Sequence, residues 1–181
     1  MLYVVEYVVR IIAVLDNVVY VVCSKSSIIS TYSADTLSPI SEDINVEGMT
    51  DPRDMAVCRH DRQLYVLTGS KCVYRVSCQR PKPVWHLWAK NRGRYEQWLT
   101  VQSTGDVTGI SVTSRRVSVT SRPRSLHQYN TTDRQLLRVV QLPQVVGELY
   151  HAVETARETF IIGHIGTAQS ELQCAVSKRC S

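Results

Sequence analysis

The chain has 181 residues, a net charge of +5, and 44% hydrophobic against 20% charged residues. That balance is ordinary for a chain with a buried core and excludes disorder as the default state. Val and Ile dominate the apolar residues while Phe occurs once, so the side chains suit pleated, half-buried strands, and the basic balance admits an acidic partner such as RNA or an acidic protein face.

In chain order, the first sixteen residues are rich in Val, Ile and Tyr, but Glu6, Arg10 and Asp16 interrupt them. No run reaches the roughly 20 residues that span a bilayer, and the basic start and small-residue cleavage site of a signal peptide are missing. Two consecutive strands are expected there instead, with no membrane partner and a cytoplasmic location. Six cysteines, Cys23, Cys58, Cys72, Cys78, Cys174 and Cys180, form no C-x-x-C pair and no metal-ligand rhythm with histidine. Most are read as reduced thiols of an intracellular protein, several behaving as small hydrophobes inside apolar runs.

A weak repeat organises the rest. Apolar strand-like triplets centred on Tyr20, Tyr65, Ser118 and Ile161 recur at intervals of 45, 53 and 43 residues. Seven to nine residues before each centre lies a second such segment, centred on Ala13, Ala56, Ser111 and Ala152. Eight residues after the first three centres stand Ile28, Val73 and Leu126, whereas Ile161 has no equivalent, so the fourth unit loses register. Further strands are expected around Ile44, Trp98 and Leu137, and polar turns around residues 59–62, 114–115 and 154–158. Glycine is scarce, at eight residues, so turns must draw on Asp, Asn, Ser and Pro.

Four short antiparallel strands and their turns consume about 40 to 50 residues, the length of a β-propeller blade. The expected fold is therefore all-β: a partial β-propeller of about four blade-like units of antiparallel strands, at residues 1–50, 51–105, 106–148 and 149–181 of a single domain. Within it, the sequence from Asp51 through Pro52, Met55, Ala56 and Val57, then Leu64, Tyr65 and Val66, then Val73 to Val76, resembles an NHL repeat of six-bladed propellers. Family members often carry Asp soon after the L-Y-V strand; here Thr68 stands at that place. The resemblance implies a non-enzymatic scaffold that binds protein or RNA on one face, with no cofactor. A complete six-bladed ring would need about 270 residues, so this chain supplies about four units and is expected to expose strand edges that invite self-association.

The stretch from Cys78 to Trp98 breaks the repeat and holds all three tryptophans; loops on a rigid scaffold are where binding concentrates. Six arginines, Arg115, Arg116, Arg122, Arg124, Arg134 and Arg138, fall within 24 residues, the first two and the next two in turns at opposite ends of one strand. The candidate binding residues are Trp85, Lys90, Arg92, Arg94, Tyr95, Arg122 and Arg124. They are read as a surface for a protein partner or, alternatively, as one positive rim with Trp85 or Tyr95 stacking on RNA bases. A nonfunctional fragment of a repeat family is a further reading. No nucleophile elbow or phosphate-binding glycine loop occurs. His60 beside Asp61, and His151 near Glu154, are acid-base pairs on paper that turns and strand ends explain more simply. No catalytic residue, metal or cofactor is assigned.

Overall fold

A computed structural model describes residues 8–40, 43–79, 94–155, 159–165 and 172–177. They form four antiparallel sheets in chain order. The first holds β1 (Val9–Leu15), β2 (Val18–Cys23), β3 (Ile28–Ser33) and β4 (Ile44–Asn45); the second β5 (Pro52–Cys58), β6 (Gln63–Thr68), β7 (Cys72–Ser77) and β8 (Tyr95–Thr100). The third holds β9 (Val107–Val112), β10 (Arg116–Ser121), β11 (Ser125–Asn130) and β12 (Leu136–Gln141), and the fourth β13 (Glu148–Glu154), β14 (Phe160–Ile165) and β15 (Leu172–Ser177). Within each sheet the strands pair in sequence order, as short hairpin connections require. No helix of the described residues is long and apolar enough to cross a membrane.

Each centre of the sequence repeat sits on the second strand of its sheet, and the segment before it forms the first strand. The fourth sheet has a third strand after all. It opens at Leu172, eleven residues after Ile161 rather than eight. The first strands lie side by side, β1 against β5, β5 against β9 and β9 against β13. The all-β, blade-like architecture is thus present, with three four-stranded sheets and one three-stranded sheet among the described residues.

The sheets stack face on face, and three apolar layers join them. Ile11, Leu15, Tyr20 and Val22 of the first sheet meet Met55, Leu64, Val66 and Val76 of the second. The other face of the second sheet, with Tyr65, Leu67, Val73 and Trp98, meets Ile110, Val117, Val119 and Tyr129. Leu126 of the third meets Leu149, Ala152, Phe160 and Ile162 of the fourth. Strand alternation explains the division, since Leu64 and Val66 point one way and Tyr65 and Leu67 the other. β6 is consequently apolar on both faces and buried on both.

The junction of the third and fourth sheets carries a polar layer as well. Gln128, fully buried, donates from Nε2 to Ser118 Oγ at 3.0 Å and to Glu154 Oε2 at 3.1 Å, while Arg116 donates to Glu154 Oε1 at 2.6 Å. Arg138 Nε donates to Gln128 Oε1, and its guanidinium lies over the Phe160 ring. Most of these buried polar atoms are tolerated because they satisfy one another, Arg138 Nη2 being left without a partner. Close approach of β9 and β13 depends on Gly109, where a Cβ would stand 2.5 Å from the Tyr150 carbonyl and 2.8 Å from His151 Nδ1.

Left-handed turn positions fall on Asp16, Lys25, Leu37, Asp51, Arg62, Lys71 and Arg134, with Gly48 the glycine among them. The expected Asp is present, but lysine, arginine and leucine also serve, at the steric cost that glycine would avoid.

Trp98 is the largest fully buried side chain, and Tyr65 meets it edge-on with ring centroids 5.2 Å apart at 85°. Trp98→Ala is expected to lower unfolding free energy by about 3–5 kcal/mol, read as a lower urea midpoint at an unchanged slope.

Candidate functional site

The strand ends make two opposite rims. One carries the β1–β2, β5–β6, β9–β10 and β13–β14 turns, tied together by Arg62 to Asp16 at 2.8 Å and by the Cys58 thiol facing both Asp61 and the Thr113 carbonyl. The other carries the β2–β3, β6–β7 and β10–β11 turns and the connections between sheets.

These rims separate the expected binding residues. Trp85, Lys90 and Arg92 lie outside the described residues. Arg94 and Tyr95 open β8 on the first rim: the Ser77 N–H donates to the Arg94 carbonyl at 2.7 Å, and Tyr95 pairs with Val76. Arg122 and Arg124 occupy the β10–β11 turn on the second rim, where the Arg122 N–H donates to Asp106 at 2.8 Å. The described members are therefore not brought into one positive rim. Beside Arg94 and Tyr95 is a cavity of about 220 Å³ lined also by Gln63, Arg75, Ser77 and Glu96. Glu96 there is shared by Arg75 and by Arg134, the latter at 2.9 Å.

The second rim holds a cavity of about 260 Å³ to which the first strands of all four sheets contribute: Arg10 from β1, Arg53 from β5, Val107 and Thr108 from β9, and Tyr150 from β13, with Asp106 and Arg122 beside them. Arg53 is held by Asp51 at 2.7 Å, and Arg10 approaches the same carboxylate at 3.9 Å. Arg122 donates to the Tyr150 hydroxyl at 3.2 Å, stands 3.3 Å from Glu148, and lies 5.3 Å above the Tyr150 ring. Its turn is seated on Gly105, whose absent side chain would overlap the Arg122 carbonyl. Sequence reasoning found Arg122 but missed Arg10, Arg53 and Tyr150. The signal for them was available in the repeat, because all three stand at the second or third position of a first strand, so equivalent positions converge on one axis.

Beneath this mouth Asp54 binds three of the four sheets together. Its Oδ2 accepts the Ile110 N–H at 2.8 Å and faces His151 Nδ1 at 3.0 Å, and its Oδ1 accepts the Met55 N–H at 2.8 Å. Glu154, the neighbour expected from sequence, is instead engaged by Arg116 and Gln128. The hydrogen bond to Asp54 holds the His151 imidazolium and raises its pKa above the ordinary value, burial opposing and the Asp54 charge assisting. His60 stands 3.9 Å from Asp61 on an exposed turn.

Catalytic chemistry finds little to work with among the described residues. Ser125 and Ser121 contact His127 Nε2 at 3.2 and 3.4 Å, yet all three are buried. His127 Nδ1 has no hydrogen-bond partner, and burial lowers the ring's pKa; the third group that orients a catalytic base is missing. No group of three or more His, Cys, Asp or Glu among them is placed to hold a metal ion. Cys23, Cys58, Cys72 and Cys78 are free thiols, and burial raises the pKa of Cys58 and Cys78, away from reactive thiolates.

The Asp54 to His151 pair makes stability pH-dependent. Because the folded pKa of His151 is raised above its unfolded value of about 6.5, its contribution is complete below that pH and is lost as pH rises through the folded value. The margin of the wild-type chain over His151→Gln in urea unfolding is therefore expected to be full below about pH 6.5 and to shrink as pH rises through the raised folded value; an unchanged margin would refute the pairing.

No family model matches the chain, and no curated protein matches it. Solved structures do. The chain is similar to the RRP9 WD40 repeats, with a TM-score of 0.63 and 14% identity over 88% of this chain and 46% of that one. The β-propeller domain of Myceliophteria thermophila Cps50 (Swd1) gives 0.66 and 11% over 88% and 51%. The computationally designed Ika4 protein gives 0.64 and 11% over 98% and 94%. The chain thus spans about half the length of the RRP9 and Cps50 chains. At these identities the likeness speaks to fold alone, and the fold it establishes is that of a β-propeller.

Proposed function

We propose that this chain is a non-enzymatic interaction scaffold whose four units act together, and that it takes an acidic segment of a protein partner at the mouth lined by Arg10, Arg53, Arg122 and Tyr150. The observation that carries the reading is convergence: one cavity draws a residue from the first strand of every sheet, so its geometry is held by the whole stack. Guanidinium groups match carboxylates in a planar, two-point geometry, and Tyr150 offers the amphipathic surface common in interface anchors. A volume of about 260 Å³ lies below the roughly 300 Å³ at which small-molecule pockets begin, which favours a side chain presented by a larger partner. The likeness to WD40 structures supports a propeller that mediates protein contacts in general terms. The narrower NHL reading rests on residues 51–76.

RNA binding is the second reading. Arg94 and Arg122 occupy opposite rims, which leaves no continuous track for consecutive phosphates among the described candidate residues.

The two are separated by display selection on random peptides, followed by anisotropy titrations with a selected acidic peptide and with single-stranded polyuridine. Acidic peptides should be enriched, and Arg53→Glu with Arg122→Glu should weaken the selected peptide at least about tenfold, the loss of one or two charge-assisted contacts. Polyuridine binding whose log affinity falls steeply with log salt would replace this reading with the RNA one. Binding of neither would remove both.

A further inference from the structure

Among the described residues the two ends of the sheet stack are left uncovered, and they are of opposite kinds. On β1, Ile11 and Leu15 are buried against the second sheet, whereas Ile12 and Val14 on the other face are 60% and 46% exposed. Val21 and Val19 of β2 lie across from them in register, so β1 and β2 together present an apolar outward surface. A sheet that meets water on one face normally alternates apolar with polar residues; apolar residues on both faces mark a sheet covered on both. β6 shows the covered case, and β2, at least as apolar, is only half-buried at most outward positions. At the other end Ile162 is buried while Val153 and Ile161, paired in register, are each 44% exposed.

We propose that a second copy of this chain covers both ends, the fourth sheet of each copy packing face to face on the first sheet of the other, so that two chains close one ring of eight blade-like sheets. The outward face of the first sheet is the repeat equivalent of the face that the second sheet presents to the first. It fits the trailing face of a blade, and the open face of the fourth sheet is a trailing face. A second copy brings both complements at once. Within the described residues no packing comparable to β9 on β13 joins β13 back to β1, so the two complementary faces do not meet within one copy. Head-to-tail contacts run on into filaments unless rotation closes them; four sheets per copy close at two. Pairing runs through sheet faces rather than through the strand edges expected from sequence, and it does not depend on the acidic-segment reading above.

Sedimentation velocity of the wild-type chain and of Ile12→Lys and Ile161→Glu, over about 1 to 100 µM, tests the proposal. Both substitutions lie on outward positions, and unchanged circular dichroism with a cooperative thermal transition confirms folding; Val14→Lys serves if Ile12→Lys fails that check, and Val153→Glu if Ile161→Glu does. The wild type should sediment at twice the monomer mass and each variant as a monomer. An equimolar mixture of the two variants should recover the dimer, because one junction is then wild type on both sides and the other opposes Lys to Glu. A monomeric wild type at every concentration overturns the proposal. So does a dimer that survives Ile161→Glu, which would mean that two first sheets pair with each other, and so does a mixture that stays monomeric.

Discussion

Everything in this structure follows from the need to cover both faces of every sheet. A strand such as β6, apolar at Leu64, Tyr65, Val66 and Leu67, has no face to give to water, and burial of each large apolar side chain is worth about 1.5–3 kcal/mol. A neighbouring sheet on each side is the arrangement that realises it. The stack propagates because each added sheet brings a new uncovered face, which ends only by closure or by a partner.

The third and fourth sheets meet differently, with buried Ser118 and Thr120 where the second sheet has Tyr65 and Leu67, and with buried Gln128 across from Ser118. That layer is wired through Arg116, Glu154 and Arg138. A paired network of this kind contributes less stability than an apolar layer of the same size, yet it tolerates only one register, since any shift leaves buried donors unmet. Asp54 has a similar role nearer the axis, reaching the third sheet through Ile110 and the fourth through His151. The arginine-rich stretch that stands out in the sequence serves this internal wiring in large part.

Function concentrates where first strands converge. Their parallel placement brings the second or third residue of each first strand to one mouth, so Arg10, Arg53, Thr108 and Tyr150 become neighbours although up to 140 residues separate them in sequence. Rigid sheets behind the mouth preorganise it, which reduces the ordering cost of binding.

The sequence by itself determined the strands and their order. Spacing around Tyr20, Tyr65, Ser118 and Ile161, with β-branched residues and short polar turns, is local information, because hairpin pairing follows from alternation and loop length. It missed the delay of β15, which opens eleven residues after Ile161 rather than eight; of the two strands expected in the first sixteen residues, β1 is described, and residues 1–7 lie outside the described residues. The tertiary structure alone decided which charges meet. His151 pairs with Asp54 across 97 residues rather than with nearby Glu154, and Arg94 and Arg122, close in composition and purpose when read along the chain, stand on opposite rims. An odd or even count of strand reversals sets the rim, and the stacking of sheets sets the partner. Neither quantity is visible in a residue's own neighbourhood, because both are properties of how whole sheets bury their faces against one another.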